Sequence, residues 1–118
     1  MAFREGDRPM DIAFRTISAN GDIASDDTLI VGAVTDSNNV TLQLPSYADA
    51  TNGKMYIIKR GGNGAGNLYL APASGEKIDG ATGNKTIGSN TTQNCIIIVN
   101  TSLAYVGWAI VAEYIQPE

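Results

Sequence analysis

The stretch Val40-Thr41-Leu42-Gln43-Leu44 alternates strictly between apolar and polar side chains, and Pro45 follows it directly. Successive side chains of a β-strand point to opposite faces of a sheet, so this alternation predicts a strand with one packed face and one wet face. Proline lacks the backbone N–H that a neighbouring strand would need. The stretch therefore predicts a half-buried strand that ends at Pro45.

Short apolar segments occur on both sides of this strand, separated by loops of Asn, Gly, Thr and Ser. They cover residues 28–34, 54–60, 67–71, 85–87, 94–100 and 103–113. Such spacing predicts an all-β fold, either a small antiparallel β-sandwich or a barrel-like domain. Residues 36–39 and 61–66 are rich in turn formers and predict two hairpin loops. No repeat of about 20 to 50 residues is evident, which argues against a solenoid.

The N-terminal segment differs from the rest of the chain. Residues 1–22 contain three Arg, four acidic residues and two Phe, with one strand expected at residues 14–17. We therefore expect an extended N-terminal arm over residues 1–22 and a β-strand domain over residues 23–118. Aromatic residues and Arg are enriched at protein interfaces, so the arm is a candidate contact segment.

The composition argues against several classes of function. The chain has no His and one Cys, so the usual general base and the commonest metal ligand near neutral pH are both missing. The net charge is −4 and the Lys and Arg residues are scattered, whereas a nucleic-acid site needs clustered cations. The apolar runs, such as residues 95–99, are too short to cross a bilayer. We expect no enzyme activity, no catalytic residues, no cofactor, no metal, no nucleic-acid partner and no membrane partner.

Two sets of acidic residues can be interpreted either as a chemical site or as part of a turn. Glu76 and Asp79 have the residue types of a glycosidase pair, but no aromatic residue flanks them, and a solvated turn is the favoured interpretation. Asp22, Asp26 and Asp27 lack the spacing of a calcium loop, so we expect them to form a turn.

Three other features are interpreted as structural. The glycine loop at residues 62–66 lacks the Lys and Ser or Thr of a phosphate loop. Trp108 lies in an apolar strand and is expected to anchor the core, with ligand binding as the alternative. Cys95 lies in an apolar run and is expected to pack as a small hydrophobic residue.

An ordered set of segments resembles a β-domain found in virion proteins of tailed bacteriophages. The likeness covers about residues 26–111 and rests on Asp27-Thr28-Leu29-Ile30-Val31, Val40-Thr41-Leu42-Gln43-Leu44-Pro45, Gly53-Lys54-Met55-Tyr56-Ile57-Ile58-Lys59, Glu76-Lys77-Ile78-Asp79-Gly80 and Gly107-Trp108-Ala109-Ile110. The resemblance implies a structural part of a virion, because such domains occur in capsid decoration proteins, head fibres and tail fibres, commonly as trimers. The chain has neither heptads nor Gly-X-Y repeats, which argues against a fibre shaft.

From this resemblance we expect a capsid decoration, or cement, protein that stabilises the head of a bacteriophage. Its expected partners are the major capsid protein and further copies of itself in a homotrimer. It would be made in the host cytoplasm and located on the outer surface of the capsid. The expected capsid-contact residues are Phe3, Arg4, Arg8, Phe14 and Arg15. The alternatives are a head-fibre or tail-fibre adhesin that binds a host glycan, a small hydrolase, and another virion part such as a tail-tube subunit.

Overall fold

The computed structural model of the protein describes residues 14–117, which form nine β-strands and contain no helix. The strands are β1 (Phe14–Ile17), β2 (Gly21–Asp22), β3 (Leu29–Ala33), β4 (Val40–Gln43), β5 (Met55–Gly61), β6 (Leu68–Ala71), β7 (Lys85–Gly88), β8 (Cys95–Asn100) and β9 (Trp108–Tyr114). The expected all-β class is confirmed. None of these described residues belongs to a helix that could span a membrane.

The strands form two mixed sheets around one apolar core. The five-stranded sheet has the order β1-β3-β5-β8-β9, and the four-stranded sheet has the order β2-β4-β6-β7. The first three strands of each sheet are parallel, and the remaining pairs are antiparallel. The expectation of a purely antiparallel domain was therefore wrong.

The two expected hairpins are corners between the sheets. β3 and β4 follow each other in the chain but lie in different sheets, and the same holds for β5 and β6. The loops at residues 34–39 and 62–67 carry the chain across the edge of the core. Turn-forming residues suit a corner as well as a hairpin, because both need a sharp change of direction. The composition of the loops therefore could not distinguish a hairpin within one sheet from a corner between two sheets.

The two corners and their strands stack in a single register. β3 pairs with β5 in one sheet and β4 pairs with β6 in the other. In both pairs each residue lies opposite the residue 28 positions later, as Leu29 does to Ile57 and Val40 to Leu68. Backbone hydrogen bonds also join the two corners, where the Gly64 N–H donates to the Val34 carbonyl over 2.8 Å. Residues 29–43 and 57–71 are thus two stacked rungs. Their side chains differ at most positions, so the sequence shows no repeat.

The second corner needs glycine because it lies directly on the first. Gly62 has a φ of 82°, and a Cβ there would collide with the backbone of Val34. A Cβ on Gly64 or Gly66 would collide with the backbone of residues 35–38. These glycines therefore allow close backbone packing, which explains their presence without a phosphate loop.

The described part of the expected arm belongs to the sheets. The predicted strand at residues 14–17 is confirmed as β1, which pairs in parallel with β3. Residues 21–22 form β2 and pair with β4. Residues 1–13, with Phe3, Arg4 and Arg8, lie outside the described residues, as does Glu118.

Trp108 is fully buried and anchors the core, as expected. Its ring lies 5.5 Å from the ring of Tyr56, centroid to centroid, in a tilted arrangement. The Tyr56 hydroxyl donates to the Ala24 carbonyl over 3.0 Å. Burial, with the nearby charges of Asp27 and Asp26, raises the pKa of the Tyr56 hydroxyl to about 12. Tyr56 therefore stays neutral and ties the core to the segment before β3.

Arg60 is a buried cation that holds the second corner in place. Its Nη2 atom donates to the Gly64 carbonyl over 2.8 Å and to the Gly66 carbonyl over 2.7 Å. Its Nη1 atom donates to the Thr92 carbonyl over 3.0 Å. Burial lowers the pKa of the guanidinium below its ordinary value. Three carbonyl groups thus depend on one side chain for their hydrogen bonds.

We predict that Arg60→Met lowers the free energy of unfolding by about 3 kcal/mol, because it leaves these carbonyl groups without their donor. Arg15→Met is the control, since Arg15 is partly exposed and its ion pair with Asp27 should contribute less than about 1 kcal/mol. Urea denaturation measures both losses. Equal losses for the two variants would contradict a special role for Arg60.

Candidate functional site

The side of the five-stranded sheet that points away from the core is apolar, and we call it the outer face. Ile30, Ile58 and Ile96 are fully buried, so their neighbours along each strand point outward. The outer face consists of Phe14, Thr16, Leu29, Val31, Ala33, Met55, Ile57, Lys59, Cys95, Ile97, Val99, Ala109, Ala112 and Tyr114. Lys59 is the one charged residue in this set.

The side chains of the outer face form rows across the strands. The central row is Phe14, Leu29, Ile57, Ile97 and Ala112, which are paired in register from one edge of the sheet to the other. A second row contains Met55, Val99 and Ala109. The third contains Thr16, Val31, Lys59, Cys95 and Tyr114. The first two rows contain no polar side chain.

A β-bulge in β9 keeps a carboxylate off this face. Ile98 pairs with Ile110 but Ile97 pairs with Ala112, so Val111 is an extra residue in the strand. The extra residue reverses the alternation, which places Ala112 and Tyr114 on the outer face. Glu113 instead points to the inner side at the edge of the sheet. There it forms an ion pair with Lys85 of the other sheet over 3.0 Å.

The large apolar side chains that remain exposed are concentrated on this sheet. Within residues 14–117 they are Phe14, Met55, Leu103, Tyr105, Val111, Tyr114 and Ile115. Four of them lie in β1, β5 or β9, two lie in the loop between β8 and β9, and Ile115 directly follows β9. Phe14 is 62% exposed and Tyr114 is 55% exposed. An apolar surface of this kind is typical of a protein contact site.

The opposite surface of the molecule is polar. Leu42 and Leu70 are buried, so Thr41, Gln43 and Tyr69 point outward from the four-stranded sheet. An open groove beside β2 and β4 is lined by Asn20, Gly21, Asp22, Thr41 and Gln43. The two outer surfaces therefore differ sharply in polarity, although both belong to the same pair of stacked rungs.

Lys59 and Cys95 are paired neighbours in the third row. The Lys59 Nζ atom donates to the Gln93 carbonyl over 2.8 Å, which holds the charge away from the central row. Cys95 is half-buried, and its side chain lies on the outer face and not in the core. Burial raises the pKa of the Cys95 thiol, and the charge of Lys59 partly opposes this rise.

Three of the acidic residues with chemical alternatives, Asp27, Glu76 and Asp79, accept hydrogen bonds from backbone N–H groups. The Asp27 carboxylate accepts from the Ala24 N–H over 2.8 Å and from Arg15 over 2.7 Å, which supports the turn interpretation. The Glu76 carboxylate accepts from the Tyr47 N–H over 3.0 Å. Asp79 accepts from the Ile110 N–H over 2.9 Å. Over residues 14–117, no cluster of three or more His, Cys, Asp or Glu residues could hold a metal ion.

Of the expected contact residues, Phe14 lies at the edge of the outer face, and Arg15 points to the opposite side of β1. Arg15 also donates to the Asp22 carbonyl over 2.8 Å. The sequence prediction missed the rest of the outer face. Its signal is the pair of unbroken apolar runs at residues 55–58 and 95–99, because such runs indicate strands with two apolar sides.

In comparisons with known proteins, no family model matches this sequence, and no curated protein matches it significantly. The likeness to phage virion domains consequently rests on the sequence segments quoted above.

The assignment of faces predicts opposite results for two neighbouring isoleucines. Ile97→Lys places a charge on the outer face and should leave the chain folded, with a stability change of less than about 1 kcal/mol. Ile98→Lys buries the same charge in the core and should prevent folding. Near-ultraviolet circular dichroism of dilute samples measures both results. Loss of the fold in Ile97→Lys, or a folded Ile98→Lys, would show that the faces are misassigned.

Proposed function

We propose that the protein is a capsid decoration protein of a tailed bacteriophage, which binds the outside of the head as a homotrimer and stabilises the shell. The observation that carries this proposal is the apolar outer face. A sheet surface without charges in its first two rows is suited to protein contact, because covering it removes apolar area from water. A protein that presents such an apolar face is suited to assembly with other protein chains.

The sequence resemblance supports the same function. The quoted segments correspond to parts of β3, β4, β5 and β9 and to the bridge at Ile78, so they occupy the frame of both sheets. Decoration also requires no reaction, since a clamp over neighbouring shell subunits resists their separation by contact alone. Three linked copies would multiply a weak contact through effective concentration, by about 10²- to 10⁴-fold.

In this proposal the shell is contacted by Phe3, Arg4, Arg8, Phe14 and Arg15. The Phe side chains would fill pockets, and the Arg side chains would pair with carboxylates of the major capsid protein. Phe14 is exposed enough for such a contact. Arg15 already binds Asp27, so a shell carboxylate would have to compete with that ion pair.

We predict that virions purified from a host producing this protein contain it in hundreds of copies, a number on the order of the shell subunits. Quantitative mass spectrometry against the major capsid protein measures this ratio. A few copies per particle would indicate a fibre protein instead. Absence from purified virions would refute the proposal.

The contact segment can be tested by a truncation that keeps every described strand. A variant that begins at Ala13 retains β1 and should fold, but it should bind undecorated heads more weakly than the full chain. Cosedimentation with the heads measures binding. The matched control is Thr86→Lys, which adds a charge at an exposed position of the four-stranded sheet. Unchanged binding of the truncated chain would remove the segment from the proposal.

The polar groove beside β2 and β4 favours the adhesin as a second candidate. Its amide, carboxylate and hydroxyl groups from Asn20, Asp22, Thr41 and Gln43 are of the kinds that bind sugar hydroxyls. Binding on a glycan array that is lost in Gln43→Ala and kept in Ile97→Lys would support this function over decoration.

A further inference from the structure

We propose that copies of this chain associate with one another through the outer face, around a rotation axis that runs along the strands. The inference rests on the proposed function. It assigns the contact between copies in the homotrimer to the outer face, which a second copy would cover. Phe14 would then belong to the contact between copies, so the contact with the shell would fall to Phe3, Arg4, Arg8 and Arg15.

The size of the outer face supports this occupant. Five strands about 4.8 Å apart span about 24 Å, and three rows along the strands span about 20 Å, which gives about 500 Å². A stable interface covers about 800 Å² on each partner. The remaining area would have to come from beyond the ends of the strands, where Leu103 and Tyr105 on one side and Ile115 on the other are exposed. A short peptide would leave most of this surface uncovered.

The two edges of the outer face are complementary in size. An axis along the strands places β1 of one copy against β9 of the next and keeps each row at its own height. The central row then brings the large Phe14 against the small Ala112 of the second copy. The third row brings the small Thr16 against the large Tyr114 of the second copy. At these edge positions a large side chain thus meets a small one, which favours close packing.

The charges also agree with self-association. The chain carries a net charge of −4, yet none of the acidic side chains within residues 14–117 lies on the outer face. Contact between copies through this face therefore does not bring those carboxylates together. Lys59 is the exception. A rotation axis that runs along the central strand β5 brings the Lys59 side chains of different copies towards each other. Its hydrogen bond to the Gln93 carbonyl holds the ammonium to one side, and its stem is left on the face.

Sedimentation velocity of the purified full chain tests the proposal with three variants. The unmodified chain should sediment as a trimer, and a dimer that responds in the same way to the variants would support contact through the outer face but refute the homotrimer. Ile97→Lys should weaken association by about 30-fold or more, because it places a charge in the centre of the contact. Lys59→Met should tighten it, because it removes the repulsion between like charges. Thr86→Lys, on the other sheet, should have no effect.

Alkylation of Cys95 supplies a readout on the unmodified chain, and it does not depend on any variant folding. Cys95 lies within the contact, so its alkylation should slow as the protein concentration rises. In Ile97→Lys the rate should not depend on concentration. A chain that stays monomeric would overturn the proposal, and a protected Cys95 in such a monomer would indicate cover by the chain's own N-terminal residues.

These results are distinguishable from those of the virion measurement. Association through the outer face by a protein absent from virions would support this inference and refute decoration. A monomer present in virions in hundreds of copies would overturn this inference and leave decoration standing. Association that is unchanged in both Ile97→Lys and Lys59→Met would also overturn it, since the contact would then use another surface.

Discussion

The register between the two stacked rungs is the constraint on which the rest of the structure depends. Side chains alternate along a strand, so a slip of one residue would turn every core residue outward. The offset of 28 positions is the same on both sides of the corner. It therefore places Ile30 and Ile58 in the core and Leu29 and Ile57 on the outer face. Arg60 and the corner glycines maintain this offset, since they hold the second corner against the first.

The same register explains why one surface is suited to assembly and the other to water. In the five-stranded sheet most side chains on both sides of β3, β5 and β8 are apolar, so the core and the outer face are built from the same strands. In the four-stranded sheet the outward positions are Thr, Gln and Tyr. The bulge at Val111 adds to this difference, because it moves Glu113 from the outer face into an ion pair with Lys85. Burial of polar groups inside the domain serves the fold, as Tyr56 and Arg60 show.

The sequence predicted the class and most strands correctly because β-patterning is local. Val40 to Gln43 alternates cleanly, and Trp108 lies in the core as its surroundings indicated. The connections were predicted wrongly, because Asn and Gly at residues 36–39 and 61–66 favour a turn without specifying which sheet the next strand joins. The outer face was missed for a related reason. The runs around Ile57 and Ile97 were predicted as strands with nothing said of what each side faces, and only the sheet order shows that none of the nine described strands covers one side of each run.

The most direct test of the account is a structure of the protein as it occurs in its assembled state, determined by electron cryomicroscopy. The account predicts that Ile57 and Ile97 lie in van der Waals contact, about 4 Å, with the side chains of another protein chain. Bulk water over both residues in the assembled state would contradict it.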